Sequence, residues 1–177
     1  MVNVFIIGIV ILLKFALPAA IVFFPFAAGW ANFVLDSVDG DILIPAGLAD
    51  ANYQPIDKIA DWATYVAMAV CAWRARWQIK KWIWGLFAFR SIGQALFLIA
   101  RDERWFFYFP NFLEPLFLIY ATIIFCKKFN EAAAFAYFAK HKVLFIAIIV
   151  IYKMQDEYFT HIANIDRTEF FQNLFGF

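Results

Sequence analysis

Residues 2–35 read VNVFIIGIVILLKFALPAAIVFFPFAAGWANFVL, with Lys14 as their one charged side chain. A transmembrane helix needs about 20 consecutive apolar residues. The stretch is therefore too long for one straight span and tight for two. Proline removes a backbone donor and breaks or kinks a helix, so Pro18 and Pro25 are the expected breaks. We expect a first helix over about 3–23 and a shorter second one over 25–40, with one long kinked helix as the alternative. No basic n-region or small-residue cleavage site accompanies the apolar start, which reads as a retained helix and not a signal peptide.

The same character runs through the chain. It is 177 residues long, 65% hydrophobic and 21% aromatic, with mean hydropathy +0.72. Soluble domains average about 45–50% apolar, so the composition points to an all-α, polytopic helical membrane protein forming a single domain over 1–177. The net charge of +1 gives no electrostatic footprint for a nucleic-acid partner. Membrane lipids are the expected surroundings, with a larger membrane complex or a homo-oligomer as the expected protein partners. Cys71 and Cys126 both lie in apolar stretches and read as small buried hydrophobes.

Beyond residue 35 the chain alternates apolar runs with polar joints. Residues 41–56, DILIPAGLADANYQPI, have loop chemistry, and a helix is expected to open at Asp57. It runs to Trp73 or beyond, followed by the basic aromatic segment RARWQIKK at 74–81. Spans are expected over 82–100 and 105–126, joined by a polar turn at 101–104. An amphipathic surface segment follows over 127–142, then a last span over 143–160 and an interfacial tail over 161–177. That makes six spans, or five if the N-terminal stretch is one helix. The positive-inside bias places the loops at 74–81 and 127–142 in the cytoplasm, and the aspartate loop and the 101–104 turn on the other side.

Within the acidic motif loop, 36–61, stand Asp36-Ser37-Val38-Asp39-Gly40 and Asp57-Lys58-Ile59-Ala60-Asp61. Asp36 and Asp39 share a helix face by their three-residue spacing, as do Asp57 and Asp61 by their four. Acidic groups beside a hydrocarbon core are costly unless they face a cavity, a partner or a metal. Two helices joined by a short loop can bring the four carboxylates together, and an oxygen-only set of that kind suits Mg²⁺, Mn²⁺ or Ca²⁺.

On these residues the chain resembles the CDP-alcohol phosphotransferases. Their signature is D-x-x-D-G-x-x-A-R, about eight residues, then G-x-x-x-D-x-x-x-D. Asp36, Asp39, Gly40, Asp57 and Asp61 fall at that spacing without a gap. The resemblance implies a six-helix membrane fold with the motif where the second helix ends and the third begins. It implies Mg or Mn as cofactor, Asp36, Asp39 and Asp57 as metal ligands, and Asp61 as the catalytic base that activates the acceptor alcohol. The family's site faces the cytoplasm, opposite to the side the basic loops suggest here. The family's Ala-Arg is Leu43-Ile44 in this chain, and its second Gly is Tyr53.

Two further groups of polar residues stand inside apolar runs. Arg90 with Gln94, and Asn111 with Glu114, lie on facing sides of the hairpin turned at 101–104. They sit at matching depth, which predicts a structural ion pair between Arg90 and Glu114. If Arg90 points at the aspartates instead, it becomes a substrate-binding group for phosphate or carboxylate. Pro110, between them, is expected to kink its helix and free backbone carbonyls. Lys153 is spaced for local pairing with Asp156 or Glu157, and His161 reads as an interfacial polar residue.

Three functions compete. The first is a membrane-embedded, divalent-metal-dependent phosphotransferase with a lipid or alcohol acceptor. The second is a non-catalytic accessory or structural subunit of a larger membrane complex. A small transporter ranks last, because no span carries a repeated polar stripe. Convergence of the aspartates within ligand reach favours the first, and splaying favours the second.

Overall fold

The computed structural model of the chain describes residues 2–102 and 104–163. They form seven helices and no strand among the described residues: α1 (Val4–Ile21), α2 (Pro25–Leu43), α3 (Asp50–Arg74), α4 (Lys80–Ala100), α5 (Arg104–Tyr108), α6 (Leu113–Cys126) and α7 (Glu131–His161). The interfacial tail expected from sequence falls largely on residues beyond 163, outside those described.

The N-terminal stretch divides into two helices. Asn3 caps α1 by accepting a hydrogen bond from the Ile6 N–H at 3.2 Å, and Pro25 opens α2 at a position where its missing N–H costs nothing. Pro18 lies inside α1 and does not end it. The inward stripe of α1 is Val10, Lys14, Pro18 and Ile21, a spacing of one residue per helical turn.

The expected 41–56 loop contracts to residues 44–49. Helix α2 runs on to Leu43, and α3 starts at Asp50 with Pro55 inside it. Contacts from elsewhere hold this short turn. The Asn3 N–H donates to the Ala46 carbonyl at 2.8 Å, so the N-terminus braces it. Gly47 sits at φ +102°, where a Cβ would also meet the Val2 Cα at 3.1 Å. Glycine meets both demands at once.

Helix α6 occupies the centre. Leu113, Leu116, Phe117, Leu118, Tyr120 and Ala121 are all buried, and α2, α3, α4 and α7 pack around it. The outer surfaces of α1, α4 and α7 are apolar and open, with Phe5, Ile99 and Val143 each more than three-quarters or close to it exposed (76%, 82% and 75%). Exposed apolar area on this scale suits a hydrocarbon surrounding.

Among the described residues, three helices are long and apolar enough to cross a membrane: α1, α4 and the Glu131–Thr160 part of α7. Hydropathy along the chain leads to an expectation of five or six. The difference has two causes. The facing ends of α2 and α3 carry the acidic motif, which breaks their apolar runs, and α6 has only 14 residues. The 105–126 span is the one that shortens, because it is two helices: α5 ends at Tyr108, and α6 begins only after Pro110. Conversely, the surface segment from Glu131 onward and the last span are one helix of 31 residues, about 46 Å long. No Gly or Pro falls in that stretch to divide it.

The turn after α4 is polar, as expected. The Asp102 carboxylate accepts hydrogen bonds from the Arg104 backbone N–H at 3.0 Å and from its Nη2 at 2.7 Å. These bonds hold the Asp102 carboxyl below the usual carboxylate range.

The break at Pro110 presses against α4. A Cβ added at Gly93 would stand 2.5 Å from the Phe109 Cβ, an atom with no freedom to move aside. Gly93→Ala is expected to destabilise the fold by about 1–3 kcal/mol, the usual range for overpacking. Thermal melting of the purified variant checks this, and an unchanged midpoint would contradict the close approach.

Candidate functional site

The inward stripe of α1, the end of α2 and the start of α3 meet at one point. Lys14 provides its centre. Its Nζ donates to Asp36 Oδ1 at 3.3 Å, to Asp57 Oδ1 at 2.7 Å and to Asp39 Oδ2. One oxygen from each of these three aspartates lies within 4.8 Å of the others. Asp39 and Lys14 are fully enclosed (0% and 3% exposed), while Asp36 stands at the open edge. Asp61 is one side chain further along α3. Lys58 links it to the cluster, with Nζ 2.9 Å from Asp57 Oδ2 and 3.7 Å from Asp61 Oδ2. Three of the four expected carboxylates therefore converge directly, and the fourth is joined through a lysine.

Tyr53 closes the cluster. Its hydroxyl donates to Asp39 Oδ1 at 2.8 Å. The same oxygen lies 3.2 Å from where a Cβ on Gly40 would be. In the signature that this motif resembles, the Tyr53 position is a second glycine. Here the space between the two positions is filled by a phenol ring and its hydrogen bond.

Carboxylate oxygens are the donor type that a hard divalent cation takes, and three of them are grouped here. An octahedral Mg²⁺ with bonds of about 2.1 Å has ligand oxygens roughly 3–4 Å apart, close to the observed spread. The two ammonium groups of Lys14 and Lys58 between them contact all four carboxylates. Lys14 contacts the oxygens such an ion would use, so ammonium and metal address the same ligands.

A second buried cluster forms at the α5–α6 break. Arg90 Nη1 donates to the Phe109 carbonyl at 2.8 Å and reaches the Phe106 carbonyl at 3.5 Å. Its guanidinium lies 4.5 Å from the Phe106 ring centroid. The carbonyls freed by Pro110, expected from sequence, are thus taken by an arginine. The matching freed donor, the Asn111 N–H, goes to Glu157 Oε1 at 2.9 Å. Arg90 pairs with Glu157 at 3.4 Å, not with Glu114. Glu114 instead accepts from Asn111 Nδ2 at 3.2 Å, and that amide also donates to the Tyr65 hydroxyl at 3.2 Å.

The expected Arg90–Glu114 pair fails because the chain is not helical across 109–112. The break delivers carbonyls to Arg90 and shifts Glu114 into the first turn of α6. Among the described residues Arg90 has no hydrogen bond or ion pair to the four aspartates, so it holds the helix break and not the acidic cluster. Lys153 pairs locally with Asp156 and lies 3.9 Å from Glu157, as its spacing suggests. Gln94 ties the two clusters together by donating from Nε2 to the Lys58 carbonyl at 2.6 Å. Cys71 is buried as expected, whereas Cys126 is exposed.

Comparison with known protein families, with curated proteins and with solved structures finds no match.

Lys14 and Tyr53 are the site residues that motif reading passes over. Lys14 carried a signal all the same: it is the one charge in a long apolar run, and an ionisable side chain in such a place needs a partner. Its spacing from Val10, Pro18 and Ile21 puts it on the inward face. Tyr53 stood out only as a departure from a glycine position.

Proposed function

We propose that the protein is a membrane-embedded, divalent-metal-dependent phosphotransferase, similar in its chemistry to the CDP-alcohol phosphotransferases. The observation that carries this reading is the convergence of Asp36, Asp39 and Asp57 within 4.8 Å. Under it, α1–α4, α6 and α7 all cross the bilayer. Helices α2 and α3 meet at their acidic ends, and α6 is sheltered by its neighbours. The cation-rich turns holding Arg74, Arg76, Lys80, Lys81, Lys127 and Lys128 mark the cytoplasmic end, and the acidic cluster lies towards the other.

Asp36, Asp39 and Asp57 would hold Mg²⁺ or Mn²⁺, which would offset the charge of a bound pyrophosphate. Asp61 stands at the margin of the cluster, held by Lys58. It would take the proton from an acceptor hydroxyl as that oxygen attacks the lipid-bearing phosphorus in line and the opposite P–O bond breaks, releasing CMP. Lys58, already between two carboxylates, would face the phosphate oxygens. The test is transfer from a radiolabelled CDP-linked lipid to an alcohol by the purified protein in nanodiscs with Mg²⁺ or Mn²⁺. Asp61→Asn should reduce turnover by roughly 10²–10⁴-fold, the usual contribution of a positioned general base. Turnover equal to that of the unaltered protein would remove Asp61 from this role.

A second reading has an observation of its own. Tyr53 fills the Gly40 side of the cluster and Lys14 already neutralises part of it. Both favour a non-catalytic subunit whose acidic cluster is a helix-joining device. Transfer activity that is absent with every divalent metal, together with a partner retained through purification, would favour this alternative.

A further inference from the structure

A cleft of about 450 Å³ opens between α3 and α4, within the size range of about 300–1,000 Å³ typical of small-molecule sites. Its apolar walls include Pro55, Ile59, Trp62, Ala95 and Leu98. Ile59, Trp62 and Leu98 are exposed on the outer surface of the bundle, so the cleft faces whatever surrounds the helices. Its charged lining is cationic, from Lys58 and Arg101, beside the neutral Gln54, Ser91 and Gln94. Lys58 is matched by Asp57 and Asp61. Arg101 is not matched: it caps α4, and among the described residues no carboxylate lies within ion-pairing distance of it.

We propose that the α3–α4 cleft binds one anionic lipid from the surrounding bilayer, its chain along Ile59, Trp62 and Leu98 and its head on Arg101. Charge complementarity selects the anionic head, and the open apolar walls select a molecule already in the membrane. The binding does not depend on the phosphotransferase reading. It does give that reading a substrate route, because Lys58 lines the cleft and also touches Asp57 and Asp61. A lipid head drawn in past Arg101 would reach the acidic cluster through one side chain.

Trp62 supplies the probe. The full-length protein is placed in phosphatidylcholine nanodiscs containing a low fraction of lipid with brominated chains, either phosphatidylglycerol or phosphatidylcholine. The difference in fluorescence quenching between the unaltered protein and Trp62→Phe isolates the cleft. The anionic brominated lipid is expected to quench Trp62 with an apparent affinity roughly fivefold above the neutral one, the factor one cation near an anionic head supplies. Arg101→Gln should bring the two lipids level. Ala95→Phe narrows the cleft from an exposed wall position and should weaken quenching by the anionic lipid even if Arg101→Gln proves unstable. Equal quenching by both lipids in the unaltered protein overturns the proposal, as does a preference unchanged by either variant. Loss of the preference with transfer activity intact would remove the lipid site alone, and an intact preference with no transfer would remove only the enzyme reading.

Discussion

Lys14→Met is expected to melt on the order of 10 °C below the unaltered protein in the presence of a chelator. Lys14 is 3% exposed and Asp39 is fully enclosed, and the ammonium is the one positive group that touches Asp36, Asp39 and Asp57 together. Methionine keeps nearly the same length and leaves the carboxylates without that partner. Removing one member of a buried ion pair costs about 3–5 kcal/mol, and each kcal/mol moves the midpoint of a chain of this size by about 2–4 °C. The informative measurement is the same melt repeated with Mn²⁺ or Mg²⁺. Because metal and ammonium address the same oxygens, a divalent ion should restore most of the lost midpoint in Lys14→Met and have a smaller effect on the unaltered protein. Recovery would support the metal reading. A loss that no divalent ion repairs would leave the cluster as a structural joint.

Arg90→Met should be about as damaging, for a different reason. Arg90 serves two carbonyls at the α5–α6 break and the Glu157 carboxylate at once. Without it, Glu157 loses a buried cationic partner at 3.4 Å, while the Asn111 N–H and the more distant Lys153 stay in place. A loss of about 3–5 kcal/mol is expected. Glu157→Gln keeps an acceptor for the Asn111 N–H and removes the charge. The double variant should therefore be more stable than the sum of the single losses implies, by about 0.5–3 kcal/mol, the coupling usual for groups in contact. Chemical denaturation of all four proteins closes the cycle. Strict additivity would mean that Arg90 and Glu157 do not act as a pair.

Local relations were legible in the residues, and distant ones were not. The three- and four-residue spacings within 36–61 and 153–157 carried over into shared faces and a local ion pair, because helical geometry alone decides them. The division at Pro25 and the disruption at Pro110 were equally local. Lys14 meets partners 22, 25 and 43 residues away, and Arg90 finds Glu157 across 67. Those meetings depend on how the helices are arranged in space, which no periodicity encodes. Matching depth across a hairpin suggested Glu114 for Arg90. The chain does more than kink at Pro110: it leaves the helix from Phe109 to Phe112, which moves Glu114 into a new helix and away from Arg90. At 127–142, the polar residues suggested a surface segment, yet the chain turns only over 127–130, and α7 then runs from Glu131 through the rest of the segment. Tyr53 shows the limit of a motif: the aspartate spacing is kept, and the side chain between the two glycine positions changes what can enter.

The shortness of α6 has a consequence for how the chain is made. Fourteen residues give about 21 Å of helix, well under the about 30 Å of bilayer hydrocarbon. Such a segment has little hold on a membrane as it leaves the ribosome. Its hold comes from the helix synthesised after it, where Glu131 receives the Tyr120 hydroxyl at 2.6 Å and the Gln78 N–H at 2.8 Å. Helix α7, made after α6, is thus the one that locks the middle in place. A chain released before α7 emerges would keep its acidic joint between the first three helices and lose the centre of the bundle.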